Sequence, residues 1–352
     1  MGSVLSSFNR SGLGAFRRSA LGARGGIQLG PWFHAVLSAG NSRLRTSPDG
    51  LVFTTQAFNG VPVAVVGTRL FCQNGYFDAP YTTQVGFAGS LGGGGIQSNI
   101  VAAGNALICL SCATSGSAQT RNIARSTDGG ATWAVVSYPS SSDAKAFNNV
   151  VSHPLLLASG RVIFIAFSLT GAPDSYYSCY SDDDGATWTG GASYTQNSTA
   201  SVSKQAALFQ RANGDVVDAG GNGTDVMVSS DDGVTFADSG FNTPAAVWDA
   251  NGKRFYAKFG STHFWFTNAI ETTSRLTYCI NDGASAGDYL TVATKGAGFL
   301  GSNNHAYVVD TSDGDLYESS DFTTWTALST TPNPLGSFTT SRGRLIAVGA
   351  KG

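Results

Sequence analysis

The chain has 352 residues, a formal net charge of −2 at pH 7 and only 12% charged residues. A charge this small gives no field for nucleic-acid binding, and no run reaches the 18 apolar residues of a membrane span. Forty-five glycines and ten prolines, with 21 Asp against two Glu, favour turns and short strands over helices. We therefore expect an all-β protein.

Residues 1–30 differ from the rest of the chain. They contain four arginines, no acidic residue and frequent glycines, with isolated apolar side chains between them. Such a segment has too little apolar surface for a core of its own. We predict an extended N-terminal arm that docks on a partner through Phe8, Arg10, Phe16, Arg17, Arg18 and Arg24.

The first residues permit two further interpretations. Residues 1–6 fit the N-myristoylation pattern, which would make the protein a membrane-anchored intracellular scaffold. They lack the apolar segment of a secretory signal, so we expect no signal peptide.

From residue 31 onward the chain shows an eight-residue repeat, S-x-D-x-G-x-T-W/F, at residues 126–133, 181–188 and 229–236. Shortened forms occupy residues 47–53 and 319–325. Ser and Asp side chains bind nearby backbone amides, and glycine accepts positive φ, so the repeat predicts a tight turn between two strands. Its structural residues are Asp49, Asp128, Trp133, Asp183, Trp188, Asp231, Phe236, Asp321 and Trp325.

The repeat resembles the Asp-box, or bacterial neuraminidase repeat, which lies between the outer two strands of sialidase-like β-propeller blades. The resemblance implies a single β-propeller of four-stranded blades over residues 31–352. The spacing of the repeat favours seven blades, and six is the alternative if residues 60–98 form no full blade. We expect the C-terminal strands to complete the first blade and close the ring.

The sialidase resemblance also implies a catalytic set of three arginines, a tyrosine paired with a glutamate, and an aspartic acid. The chain lacks the Phe/Tyr-Arg-Ile/Leu-Pro motif that supplies the first arginine, and it has only two glutamates. Glu271, Arg275 and Tyr278 form the one local cluster of suitable residue types. We therefore predict a non-catalytic protein, with a sialidase-like glycoside hydrolase as the alternative.

Metal and cofactor motifs are missing from the sequence. The four histidines are far apart, and the Cys109–Cys112 pair falls on a predicted strand whose alternation directs the two side chains to opposite faces. We predict no metal site and no cofactor, and buried free cysteines.

Exposed aromatic residues suggest a carbohydrate ligand, because sugar rings stack on aromatic faces. Trp248 and Trp265 are the predicted ligand-binding residues, whereas for any other single ring, such as Tyr76 or Phe77, packing between blades is the favoured expectation. Together with the arm, they suggest a virion component of a tailed bacteriophage, assembled from the host cytoplasm. In this hypothesis residues 1–30 bind other virion proteins in a larger assembly, and the propeller binds host-surface glycan.

Overall fold

The structure is a computed structural model. It describes residues 33–37, 43–47, 54–57, 62–66, 69–72, 74–78, 82–89, 91, 95–96, 100–112, 121–137, 139, 149–150, 152–168, 175–195, 207–219, 225–242, 253–259, 262–267, 275–286, 289–293, 298–300, 306–309, 316–320, 324–327 and 344–347.

These residues are almost entirely strands. The strands are β1 (Phe33–Leu37), β2 (Arg43–Ser47), β3 (Thr54–Ala57), β4 (Pro62–Val66), β5 (Arg69–Cys72), β6 (Gly75–Phe77), β7 (Gln84–Gly86), β8 (Ala88–Gly89), β9 (Val101–Ala103), β10 (Ala106–Cys112), β11 (Arg121–Ser126), β12 (Thr132–Val136), β13 (Asn149–Val150), β14 (Leu155–Leu156), β15 (Val162–Ser168), β16 (Ser175–Ser181), β17 (Thr189–Thr195), β18 (Ala207–Gln210), β19 (Val216–Ala219), β20 (Asp225–Ser229), β21 (Ala237–Asn242), β22 (Lys253–Phe259), β23 (Thr262–Thr267), β24 (Arg275–Cys279), β25 (Tyr289–Ala293), β26 (Gly298–Leu300), β27 (Ala306–Val309), β28 (Leu316–Ser319), β29 (Thr326–Ala327) and β30 (Arg344–Ala347). One 3-10 turn, Asn281–Gly283, follows β24.

The described strands form seven sheets, named blades 1 to 7 along the chain. From the innermost strand outward, blade 1 is β30-β1-β2-β3, and blades 2, 5, 6 and 7 are β4–β7, β18–β21, β22–β25 and β26–β29. Blade 3 is β9–β12 with β8 added in parallel outside β12. Blade 4 is β15–β17 with β13 and β14 both paired to β15 on the inner side.

The blades form a closed ring. The C-terminal strand β30 pairs antiparallel with β1, and it contacts β26 of blade 7 and β4 of blade 2. The inner strands of blades 3 and 4, and those of blades 6 and 7, also touch. The fold is a β-propeller. The prediction that C-terminal strands complete the first blade is confirmed for β30.

The hydrophobic core lies between the blades. The second strands of blades 3 and 4 are buried on both faces: Leu107 to Leu110 and Val162 to Ala166 are each at most 1% exposed. Such continuous apolar runs are typical of sheets that are covered on both sides. Each face of a blade therefore packs on its neighbour, and the apolar clusters join residues of consecutive blades.

Candidate functional site

The three full repeats are the turns between the third and fourth strands of blades 3, 4 and 5. In blade 3 the Ser126 hydroxyl accepts a hydrogen bond from the Gly130 amide at 2.8 Å and donates one to Asp128 at 2.8 Å. The Asp128 carboxylate also accepts the Thr132 amide and hydroxyl at 2.9 and 2.6 Å. The Trp133 indole N–H donates to the Gly130 carbonyl at 3.0 Å. The turn thus satisfies its own polar groups, as the sequence predicted.

Blade 4 repeats the same hydrogen bonds, and blade 5 repeats those of its Ser, Asp and Thr. The hydroxyl of Thr187 is the main cause that lowers the pKa of Asp183 to about 2. Burial acts to raise the pKa of Asp128 and of Asp231, but the hydrogen bonds of their turns outweigh it and lower both values. All three carboxylates are hydrogen-bonded within their own turns, so their role is structural.

In each of blades 2 to 5, one arginine binds the turn of the blade that follows it. Each of these four guanidinium groups donates to a backbone carbonyl that lies 59 to 72 residues further along the chain. The pairs are Arg69 with Gly129 (2.7 Å), Arg125 with Asp184 (2.8 Å), Arg161 with Asp232 (3.2 Å), and Arg211 with Asp282 (2.9 Å) and Gly283 (2.8 Å).

Two of these arginines have the same local surroundings. Arg161 forms an ion pair with Asp182 at 2.7 Å and lies over the Tyr180 ring at 4.2 Å. The hydrogen bond to Asp182 is the main cause that raises the pKa of Arg161. Arg69 makes the equivalent ion pair with Asp78 and stacks on a tyrosine of the same blade. Sequence reasoning missed these bridges; for Arg69 and Arg161 the available signal was an arginine at or directly before the start of a second strand, one blade before a repeat.

The repeat glycines mark close contacts between blades. Gly130, Gly185 and Gly233 all have positive φ, from 77° to 87°. A Cβ at Gly130 would overlap the Phe71 ring of blade 2, and one at each of the other two would overlap an isoleucine of the preceding blade. The glycine is therefore required both by the turn and by the neighbouring blade.

Blade 6 has a different turn at the equivalent place. The His263 ring, fully buried, lies with Nε2 2.8 Å from an Asp282 carboxylate oxygen. The second oxygen accepts the Ala212 amide of blade 5 at 3.0 Å. The Phe209 ring packs on His263 at 4.3 Å. Residues 281–283 therefore form a turn that is held by contacts distant in sequence.

A buried polar pair, Tyr194 and Asp218, and a buried histidine, His153, lie between blades 4 and 5. The Tyr194 hydroxyl donates to the fully buried Asp218 at 2.6 Å. Burial, and next the charge of Asp218, raise the pKa of Tyr194 well above its usual value. Burial lowers the pKa of His153 to about 4, and a hydrogen bond with the Leu208 backbone acts in the opposite direction. Neither group is exposed, so both serve the interface between the blades.

Several aromatic residues belong to this packing. Tyr76 and Phe77 are 8% and 0% exposed, which agrees with the expectation that such rings pack between blades. Trp133 and Trp188 are buried as expected, and Phe236 is partly buried. Trp325 is half-buried.

The propeller has two distinct faces. The repeat turns and the hairpins between first and second strands lie together on one face, the turn face, because the arginine bridges join them. Because neighbouring strands of a blade are antiparallel, the connection between the second and third strands lies on the other face, which we call the opposite face. The fourth strand of each blade also ends on the opposite face.

Arginine positions gather at strand ends on the opposite face. Arg43, Arg121 and Arg275 are the first residues of third strands, which begin there. Arg344 begins the innermost strand β30, and Arg254 is the second residue of the innermost strand β22. Five arginines of blades 1, 3 and 6 therefore occupy one face, whereas the four bridging arginines occupy the other.

Several of the predicted ligand-binding and catalytic residues belong to strands or connections near the opposite face. Trp248 lies in the connection between β21 and β22, and Glu271 in that between β23 and β24; both residues are outside the described residues, but the strand ends that flank them lie on the opposite face. Trp265 is on β23, and Arg275 and Tyr278 are on β24. In the register of blade 6, Trp265 pairs with Thr277 and Tyr278 with Phe264.

The remaining predicted residues fall elsewhere. The docking residues of the arm, together with Asp49 and Asp321, lie outside the described residues. Four cysteines are free and buried, as predicted, and burial raises the pKa of Cys72, Cys109 and Cys179. Among the described residues, no group of three or more His, Cys, Asp or Glu is placed to hold a metal ion. The described part of the chain contains no helix with the length and hydropathy of a membrane span.

No family model matches the sequence, and no curated protein matches it. Solved structures do. A protein from Lactobacillus plantarum is 10% identical with a TM-score of 0.52, over 90% of this chain and 99% of that one. A Bacteroides fragilis protein provisionally assigned as a 6-phosphogluconolactonase is 10% identical with a TM-score of 0.51, over 91% and 99%. A Penicillium chrysogenum α-L-arabinanase is 13% identical with a TM-score of 0.43, over 72% and 92%. The first two likenesses support the β-propeller fold.

Proposed function

We propose that this propeller recognises an acidic carbohydrate on the face opposite the repeat turns. The observation that carries the proposal is the placement of five arginine positions at strand ends of that face, in blades 1, 3 and 6. A guanidinium group presents a planar fork of donors that fits a carboxylate or a sulfate. A ring of such positions favours a ligand that carries negative charge.

The contrast with the turn face strengthens the proposal. There, Arg69, Arg161 and Arg211 are at most 22% exposed and each is bound to backbone carbonyls and a carboxylate. Those arginines hold blades together and have no capacity for a ligand. Trp248 belongs to a connection of the opposite face, where an aromatic ring would add apolar contact to the polar recognition of a sugar.

Hydrolysis of the same carbohydrate is the second candidate function. Glu271 belongs to the connection that leads into β24, whose first residue is Arg275. Glycoside hydrolysis uses carboxylic acids on either side of the scissile bond. The other glutamate, Glu318, is half-buried on β28, where the strand approaches the turn face. Glu271 is therefore the glutamate whose position fits a role in the chemistry.

Binding is tested with immobilised oligosaccharides that carry sialate, uronate or sulfate groups, beside their neutral parent sugars. Arg275→Gln removes a charge from the opposite face, and Lys258→Gln removes one near the turn-face end of β22 as the matched control. We expect wild type to prefer the acidic sugars, Arg275→Gln to bind at least tenfold more weakly, a loss of about 1.4 kcal/mol, and Lys258→Gln to bind as wild type. Equal binding to neutral and acidic sugars would contradict the proposal.

Hydrolysis is tested by the release of reducing ends from the oligosaccharide that binds best. If the protein is an enzyme, wild type releases product and Glu271→Gln binds without releasing it. If wild type binds and releases nothing, the protein is a lectin-like binding module.

We further propose that residues 1–30 attach the propeller to a larger assembly, such as a virion. Support comes from β1, the second strand of blade 1, which begins on the turn face. An arm that leads directly into β1 would join the propeller on the side away from the proposed ligand face. Deletion of residues 2–30 should abolish incorporation into the assembly and leave carbohydrate binding intact; particles that still carry the truncated protein would contradict the docking role.

A further inference from the structure

The turn of blade 6 departs in sequence from the repeat of blades 3, 4 and 5. Its turn has neither the Ser nor the Thr of the repeat, and one backbone hydrogen bond, from the Gly283 amide to the Ile280 carbonyl at 2.8 Å, spans it. Two of its residues other than glycine, Asn281 and Asp282, have φ values of 51° and 55°. Asn and Asp adopt left-handed backbone more readily than other residues with a side chain, and Asp184 and Asp232 adopt it in the repeat turns as well.

The long-range contacts of this turn come from β23 and from the connection between β18 and β19. His263 of β23 binds one Asp282 carboxylate oxygen, and the Ala212 amide of blade 5 binds the other. Arg211 of blade 5 donates to the carbonyls of Asp282 and Gly283 at 2.9 and 2.8 Å. Every one of these contacts is made across 19 to 72 residues of sequence.

The buried histidine is the central member of this group. His263 is fully buried, its ring packs on Phe209 of blade 5, and its strand position pairs with Cys279, the last residue of β24. A single side chain thus joins the inside of blade 6, its turn and the neighbouring blade. In blades 3 to 5 hydrogen bonds between residues of the repeat hold the turn.

We infer that His263, Asp282 and Arg211 form a tertiary latch that positions blade 6, and that they are positioning residues for the ligand face. The latch holds strands β22 to β24. Arg254 is the second residue of β22, Arg275 is the first residue of β24, and Glu271 belongs to the connection between β23 and β24. The part of the inference that concerns ligand binding rests on the proposed function. The part that concerns blade 6 does not.

Two substitutions of His263 separate the hydrogen bond from the packing. His263→Phe keeps an aromatic ring against Phe209 and loses the donor to Asp282, whereas His263→Gln keeps a side-chain N–H near the position of Nε2. Hydrogen–deuterium exchange of the full chain reports on residues 275–286, with residues 225–236 of blade 5 as the internal reference. We expect exchange in residues 275–286 to be at least tenfold faster in His263→Phe and within threefold of wild type in His263→Gln.

A matched pair of arginine variants gives the second test. Arg211→Lys and Arg161→Lys each remove a guanidinium group that bridges two blades, but only the first bridge ends on the blade 6 turn. Arg211→Lys should speed exchange in residues 275–286, and Arg161→Lys should leave it unchanged. Equal exchange in both variants, or equal exchange in the two His263 variants, would overturn the latch.

Binding to the acidic oligosaccharides completes the test. The latch predicts at least tenfold weaker binding for His263→Phe, with recovery in His263→Gln. If wild type binds none of the sugars, the proposed function fails and exchange alone decides on the latch. If His263→Phe shows faster exchange but binds as wild type, the positioning of the ligand face is refuted.

Discussion

The buried His153 should make the stability of this propeller depend on pH between the ordinary histidine pKa of 6.5 and about 4. His153 is 3% exposed and lies between β13 and β14, where the innermost strand of blade 4 is interrupted. The Ser152 hydroxyl secures the interruption, because it accepts the Ile165 amide at 2.7 Å and donates to the His153 carbonyl at 3.1 Å. Burial keeps the pKa of His153 at about 4.

The size and sign of the effect follow from that pKa. In the unfolded chain a histidine takes up its proton near pH 6.5, whereas His153 in the folded protein resists it until about pH 4. Between these values the unfolded state binds more protons, so the stabilising contribution is complete above pH 6.5 and is lost as the pH falls toward 4. A difference of about 2.5 pH units, at about 1.36 kcal/mol each, amounts to about 3 kcal/mol.

Urea unfolding of wild type and His153→Gln at pH 7, 6, 5 and 4 measures this contribution. The amide of glutamine does not titrate, and both proteins share every other ionisable group, so the other titrations cancel in the difference. Wild type should lose about 3 kcal/mol more of its free energy of unfolding between pH 7 and pH 4 than the variant does. Parallel pH profiles would show that His153 does not stay neutral in the folded protein.

Three further predictions concern the repeat turns. Gly130→Ala should cost about 2–4 kcal/mol of unfolding free energy in urea, because a Cβ meets Phe71 and φ is positive; a loss below about 1 kcal/mol would mean that the ring moves aside. Ser181→Ala should cost about 1–3 kcal/mol in the same assay, since the buried Gly185 amide loses its acceptor, and unchanged stability would show that another group replaces it. The pKa of Asp183 is lowered to about 2, so its ionised carboxylate stabilises the fold above pH 4, and this contribution is lost as the pH falls toward 2. In Asp183→Asn the free energy of unfolding should therefore fall less between pH 4 and pH 2 than in wild type, and an equal fall would contradict this.

The repeat turns were predictable because their interactions are local. Ser181 reaches the Gly185 amide four residues away, and Thr187 reaches Asp183 over the same distance. An eight-residue segment therefore contains the donors and acceptors of its own turn, and the turn follows from the residue types. The turn of blade 6 is different, because His263 and Arg211 bind it from positions distant in sequence.

The candidate site was only partly predictable. Sequence patterns selected Glu271, Arg275 and Trp248 by residue type, but they gave no means to say which face of the fold each strand end occupies. They also gave no means to separate Tyr76 from a ligand-binding ring, because an aromatic residue on a strand has the same sequence signature whether a neighbouring blade covers it or not. Burial is decided by a blade that is dozens of residues away.

The amino-acid sequence by itself thus determined the all-β class and the repeat turns, since each depends on composition or on contacts within a few residues. Only the tertiary structure decided how the ring closes, with β30 beside β1, and how Arg161 and its counterparts bridge the blades. It also separated a turn face of committed arginines from a face on which arginine positions gather. The physical reason is that these arrangements join residues dozens to hundreds of positions apart, which chain closure brings together and no local pattern encodes.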